Sequence, residues 1–207
     1  MNQKGKLSQA AKPTGFWGRI AARLMAYGHR PVYKKVAAVL KLQPEDDFLE
    51  IGFGSGNFLK SYAAHVRSIA GLEYSEDMVK LASHCNRKRI EAGTAELRFG
   101  DAAQLPWEEG KFSAVTVTET FYFFPNPLES LKEIHRVLRP EGRLVISLGW
   151  NADDGRDHTN YVKKQGIRLY TGKEIQAMFQ EAGFSESSIT YLKAPKMPKL
   201  MVARAVK

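Results

Sequence analysis

The segment Phe48-Leu49-Glu50-Ile51-Gly52-Phe53-Gly54-Ser55-Gly56-Asn57-Phe58 constrains this 207-residue chain more than any other stretch. A short buried-strand pattern ends abruptly in three alternating glycines. Glycines so placed let the backbone turn sharply out of a strand and approach a ligand closely, where a Cβ would clash or a positive φ would be strained. The segment therefore predicts the strand, turn and helix start of a nucleotide-type cofactor loop. Its spacing departs from the dinucleotide fingerprint G-x-G-x-x-G, because the third glycine comes one residue early at Gly56 and Asn57 takes the last place.

Glu50, two residues before the turn, would repel a pyrophosphate and suits a cofactor with a cationic amino-acid end. The pattern E-x-G-x-G-x-G over Glu50, Gly52, Gly54 and Gly56 resembles the first motif of class I S-adenosylmethionine-dependent methyltransferases of the small single-domain type. That resemblance implies S-adenosyl-L-methionine as cofactor, bound along Glu50, Gly52, Phe53, Gly54 and Gly56.

Later segments extend the likeness in order. Residues 67–72 read as a second strand ending at Glu73, where a carboxylate can accept from both hydroxyls of an adenosine ribose. A solvated glutamate or a helix cap is the plainer alternative there. Tyr74 and Met78 are candidates for packing on adenine, with core packing an equal reading of Met78. A third strand over 96–99 runs into Gly100-Asp101-Ala102-Ala103-Gln104-Leu105-Pro106-Trp107, which resembles the family's G-D-A-x-x-L-P-F segment. The resemblance implies that Asp101 and Ala102 hold the adenine. A fourth strand, Phe112 to Thr118, leads into Glu119 and the aromatic run Phe121-Tyr122-Phe123-Phe124. By the same likeness Thr118 to Phe124 border the reacting methyl group, the rings serving equally as core or as an apolar wall.

Apolar residues at 128, 131, 134, 137 and 138 predict a helix that ends at Arg139-Pro140-Glu141-Gly142, with a fifth strand over 143–147. Thr171 and Glu174 form a capping box opening another helix. Two β-rich runs, 188–192 and 200–205, are too close for a crossover helix and predict an antiparallel hairpin. The expected fold class is α/β: a Rossmann-like, doubly wound seven-stranded sheet, mostly parallel, with an antiparallel C-terminal hairpin. Residues 45–207 make the catalytic core and residues 1–44 a basic tail with lid helices, one structural domain in all.

Charge is concentrated at one end. Residues 1 to 44 hold Lys4, Lys6, Lys12, Arg19, Arg23, Arg30, Lys34, Lys35 and Lys41 and no Asp or Glu, so the formal net charge of +9 belongs to this segment. It suits nucleic acid, anionic lipid or an acidic substrate, or simply helices with solvated basic faces. By the family likeness its helices cover the cofactor cleft as a lid, which brings Tyr27 and His29 to the substrate side and accounts for their apolar face without a membrane. The single cysteine, Cys85, excludes an intrachain disulfide and fits a cytoplasmic protein. The five histidines show no metal-ligand spacing, so no metal is expected, and no apolar run is long enough to span a bilayer.

A sulfonium methyl is already electrophilic, so such an enzyme must chiefly hold the acceptor in line and exclude water. Glu119 and His158 are the candidate bases and Tyr122 the candidate for orienting the acceptor, although Glu119 equally suits a helix cap. Trp150 to Tyr170, with Trp150, Asp153, Asp154, Asp157, His158 and Tyr161, reads as an acceptor pocket or as a solvated loop. The N-P-P-Y clamp associated with amide and base nitrogens is absent. The leading expectation is methyl transfer to a small molecule. An RNA methyltransferase or basic RNA-binding protein is the alternative, and a nicotinamide oxidoreductase is disfavoured by the early third glycine and the terminal hairpin.

Overall fold

The computed structural model describes residues 27–195 and 197–207, with 15, 18 and 24 before them and only the backbone of 198. Helix α1 (Arg30–Leu40) precedes β1 (Asp47–Ile51), α2 (Asn57–Tyr62), β2 (Ser68–Glu73), α3 (Glu76–Cys85), α4 (Arg87–Glu91), β3 (Ala95–Phe99) and β4 (Phe112–Thr118). A 3₁₀ turn (Phe121–Phe123), α5 (Pro127–Val137), β5 (Leu138–Leu148), α6 (Thr159–Gln165), α7 (Gly172–Glu181), β6 (Glu186–Ala194) and β7 (Met197–Val206) follow. The seven strands lie in the order β3-β2-β1-β4-β5-β7-β6. β1 to β5 are parallel, and β7 is antiparallel to both β5 and β6.

Strand alternation sorts the apolar side chains onto two faces. Phe48, Ala114, Val145 and Val202 pack with Val36 and Leu40 of α1 and with Phe58 and Leu59 of α2. Their neighbours Leu49, Val115, Leu144, Ile146 and Met201 pack on the other side with Leu131 and Ile134 of α5 and with Ile175 and Phe179 of α7. Burial on both faces is why the central strands read as nearly continuous apolar runs. Helix α1, expected over the cleft, covers the sheet through Val32, Val36 and Leu40. The tail to residue 14, and most of the helix expected over 16–27, lie outside the described residues.

The strand starts are fastened by charge. Asp47 accepts from Arg67, Arg139 and Ser68, whose hydrogen bonds overcome the effect of burial and hold its carboxyl down to about 2. Asp46 pairs with Arg143, whose guanidinium also donates to the carbonyl of Leu40 at 2.6 Å and of Lys41 at 3.0 Å, the end of α1. Arg143→Ala leaves Asp46 buried without its cation and frees two helix-end carbonyls. An expected loss of about 3 kcal/mol, read from urea denaturation, follows from the cost of breaking a buried pair on one side.

Two boundaries differ from expectation. β5 begins at Leu138, directly after α5, and runs through Arg139-Pro140-Glu141-Gly142. The ladder to β4 shifts register between Phe112 and Ala114, and Glu141 adopts φ 61, so the chain absorbs the irregularity as a bulge. The terminal hairpin is also longer than its apolar pattern, because its ends are edge-exposed and polar.

Candidate functional site

β1 lies between β2 and β4, so the chain leaving its carboxyl end enters the crevice where strand order reverses. Gly52 has φ 74, and a Cβ there would overlap the side chain of Thr120. Gly56, at φ 75, opens α2, where a Cβ would meet the Ala82 Cβ at 2.8 Å. Between them Gly54, at φ 52, donates its N–H to Glu73 Oε2 at 2.9 Å. The second Glu73 oxygen accepts from the Ser75 N–H at 3.0 Å. Thus the glycine turn and the acidic end of β2 are held as one unit.

A cleft of about 510 Å³ opens over this unit. Gly52, Glu73, Tyr74, Asp101, Ala102 and Tyr122 of the sequence candidates line it. Asp101 Oδ1 accepts from the Ala103 N–H at 2.9 Å, a turn that fixes the loop after β3. Tyr74 stacks on Phe99 with ring centroids 6.0 Å apart. Thr120 and the loop Gly166-Ile167-Arg168 are also in the lining; they fall inside the stretches 118–124 and 150–170 read from the sequence, although none of the four was singled out there. The Arg168 N–H donates to the Tyr122 carbonyl at 3.1 Å, which holds that loop against the aromatic run.

Other candidates lie behind the cleft wall. Phe53 turns into the core over Gly71, where a Cβ would come within 2.5 Å of its ring. Met78 is fully buried beside Leu81, so its side chain is core and not a cleft surface. Thr118 is buried with its hydroxyl 3.3 Å from that of Thr116. Glu50 is buried, and its Oε2 has no hydrogen-bond partner among the described residues. Burial, with the charge of Glu73 adding to it, pushes its carboxyl up to about 8 against a backbone hydrogen bond at Leu59.

Glu119 sits at φ 56, a left-handed conformation that non-glycine residues seldom adopt. Its carboxylate accepts from Ser147 Oγ at 3.0 Å, from the Gly149 N–H at 2.9 Å and from the Tyr122 hydroxyl at 3.2 Å. Burial pushes its pKa up to about 7 despite these three donors. Gly149 lies close beside it: a Cβ there would come within 2.5 Å of Met197 Sδ and 2.7 Å of Glu119 Oε2, so one of these side chains would have to shift. Tyr33 of α1 feels both carboxylates: burial first, then the charges of Glu50 and Glu119, raise its pKa. His29 packs edge-on to Tyr33 at 6.1 Å, and burial lowers its pKa.

His158 and Trp150 form a separate cluster outside the cleft lining. His158 Nε2 lies 2.8 Å from both Asp154 oxygens, and Trp150 stacks on Tyr161 at 4.3 Å. Tyr27 is exposed beneath the Arg30 guanidinium and is not among the residues that line the cleft. Among the described residues, no group of three His, Cys, Asp or Glu side chains has the arrangement of a metal site.

A glycine turn tied to a strand-end carboxylate at the switch point of a doubly wound sheet defines a nucleoside-cofactor cleft. Buried Glu50, whose Oε2 has no partner among the described residues, fits the cationic amino-acid end of S-adenosylmethionine. Comparison with known proteins agrees. A family model described as "Methyltransferase domain" matches residues 49–146. The demethylmenaquinone methyltransferase of Thermus thermophilus is 30% identical over 190 residues, covering 88% of this chain and 84% of that protein. The 27-O-demethylrifamycin SV methyltransferase of Amycolatopsis mediterranei is 27% identical over 183 residues, covering 84% of this chain and 66% of that protein. A crystal structure from Thermotoga maritima, described as a SAM-dependent methyltransferase and possible histamine N-methyltransferase, aligns with a TM-score of 0.70 at 25% identity, covering 93% of this chain and 96% of that one. The chain belongs to the class I S-adenosylmethionine-dependent methyltransferases. It is an enzyme whose cofactor is S-adenosylmethionine.

Proposed function

We propose that this methyltransferase acts on a small-molecule acceptor that enters beside Tyr122, with the cofactor lying between Glu50, Glu73 and Asp101. One observation carries the reading: the Tyr122 ring lines the same cleft of about 510 Å³ as Glu73 and Asp101. That volume is in the range of small-ligand sites. The relatives point the same way, since two act, by name, on demethylmenaquinone and on 27-O-demethylrifamycin SV.

When bound, the cofactor supplies an electrophilic methyl group on a sulfonium. Glu73 accepts from the ribose hydroxyls, Asp101 and Ala102 hold adenine, and Glu50 faces the amino group. Phe123 and Phe124 line the cleft, where aromatic rings would favour a positive charge over water. The Tyr122 hydroxyl orients the acceptor and relays its proton: as the acceptor hydroxyl gives its proton to the Tyr122 oxygen, Tyr122 gives its own to the Glu119 carboxylate to which it already donates, and ends as neutral tyrosine.

Methyl-labelled S-adenosylmethionine offered with demethylmenaquinol, a phenolic polyketide and bulk tRNA tests the assignment. Label entering a small molecule supports it, and label entering tRNA alone overturns it. With the acceptor so found, Tyr122→Phe should lower kcat by about 100-fold, the usual worth of one proton-transfer group, while S-adenosylhomocysteine affinity stays within about 2-fold. Equal kcat in the variant would remove Tyr122 from the chemistry.

A further inference from the structure

The two most exposed large apolar side chains among the described residues are Leu24, at 69%, and Tyr27, at 68%, and both are helical. A lid would bury them against the cleft, yet neither belongs to its lining. What adjoins Tyr27 is positive. The Arg30 guanidinium stands 4.8 Å over the Tyr27 ring. Along α1, Val32, Val36 and Leu40 face the sheet, while Arg30, Lys34, Ala38 and Lys41 are exposed on the opposite side. Spacings of four residues keep Arg30, Lys34 and Ala38 on one helical stripe, and Lys41 follows as the left-handed C-cap. None of the three cations forms an ion pair among the described residues, and residues 1 to 44 contain no acidic group to offset them.

We propose that this face docks the enzyme on an anionic lipid surface. Leu24 and Tyr27 enter the boundary between headgroups and acyl chains, a level that suits an apolar side chain and a ring with a polar tip. Arg30, Lys34 and Lys41 meet the lipid phosphates, whose negative surface potential attracts basic segments within a Debye length. A nucleic-acid backbone would use the same cations, but it offers no apolar layer for Leu24. Lipid is therefore the occupant that the whole face matches.

The full chain is sedimented with vesicles of equal parts phosphatidylglycerol and phosphatidylcholine, with vesicles of phosphatidylcholine alone, and with polyuridylate in solution. The expected result is binding to the anionic vesicles that weakens with salt and is lost in Leu24→Ser/Tyr27→Ser. In a separate variant, charge reversal in Arg30→Glu/Lys34→Glu should weaken the wild-type binding by roughly 5-fold or more for each cation. Unchanged melting and unchanged S-adenosylhomocysteine affinity establish that both variants are folded. No binding to anionic vesicles, or binding that survives both variants, overturns the proposal. Polyuridylate binding that tracks the vesicle binding and ignores Leu24→Ser/Tyr27→Ser also overturns it, in favour of a polyanion site. The proposal does not depend on which acceptor is methylated, so its failure leaves the functional assignment standing.

Discussion

Glu73→Ala should reduce affinity for S-adenosylhomocysteine by about 100-fold or more. A carboxylate accepting from two ribose hydroxyls makes two charge-assisted hydrogen bonds, each worth about 1.5 kcal/mol or more, and each 1.4 kcal/mol is tenfold in affinity. The substitution also removes the acceptor that ties the Gly54 N–H of the glycine turn to the end of β2. Glu73→Gln should lose less, because one side-chain oxygen remains to accept while its amide nitrogen faces a donor. Calorimetric titration of the three proteins with S-adenosylhomocysteine measures both effects. An alanine variant within about fivefold of wild type would mean that the ribose is held elsewhere.

Glu50→Gln should raise stability at pH 8.5 and leave it nearly unchanged at pH 5. The carboxyl of Glu50 is pushed from 4.5 up to about 8, so between those values the folded chain keeps a proton that the unfolded chain releases. Stability from this group is therefore fully present below about 4.5, falls as pH rises through the window, and levels off above 8. The change is on the order of 5 kcal/mol at 1.36 kcal/mol per pKa unit. Glu119, pushed up to about 7, contributes in the same direction over a narrower window. Urea midpoints at the two pH values test this. A Glu50→Gln variant whose midpoint fell as steeply as wild type would show that burial of Glu50 is not the cause. The same substitution should weaken binding of the cationic amino-acid end, so the wild-type carboxylate trades apo stability at high pH for cofactor affinity.

The sheet was legible because burial on both faces writes uninterrupted apolar strands, and because Gly52, Gly54 and Gly56 leave no other turn at the end of β1. The capping box also read directly: Thr171 accepts from the Glu174 N–H, and Glu174 accepts in return from the N–H of Thr171. Pro140 misled for a physical reason. It reads as a helix breaker followed by a turn, yet the first residues of β5 lie beside a bulge, where a missing N–H costs no ladder bond. In the site, side chains near the glycine turn cannot be sorted inward or outward from sequence alone. Phe53 goes to the core because Gly71 on the neighbouring strand leaves the space, a fact written about eighteen residues away. Met78 and Thr118 also fill interior positions. The Gly166-Ile167-Arg168 loop carries no periodic signal, and its approach to the cleft follows from the Arg168 bond to the Tyr122 carbonyl. The left-handed Glu119 is likewise visible only in three dimensions, where Gly149 leaves room for its carboxylate.

The order in which strands are made differs from the order in which they stand. β6 precedes β7 in the chain, but it joins the sheet through β7, which itself lies against β5. While the protein is being synthesised, β5 therefore presents an open edge, and β6 has no place in the sheet until residues near Val206 have emerged. The 58 residues separating Leu148 from Val206 take roughly 3 to 12 s to translate at ordinary rates. For that interval a sheet ending at β5 would carry an unpaired edge one strand beyond β4, which is the period when a chaperone, or a second ribosome's identical edge, has its opportunity.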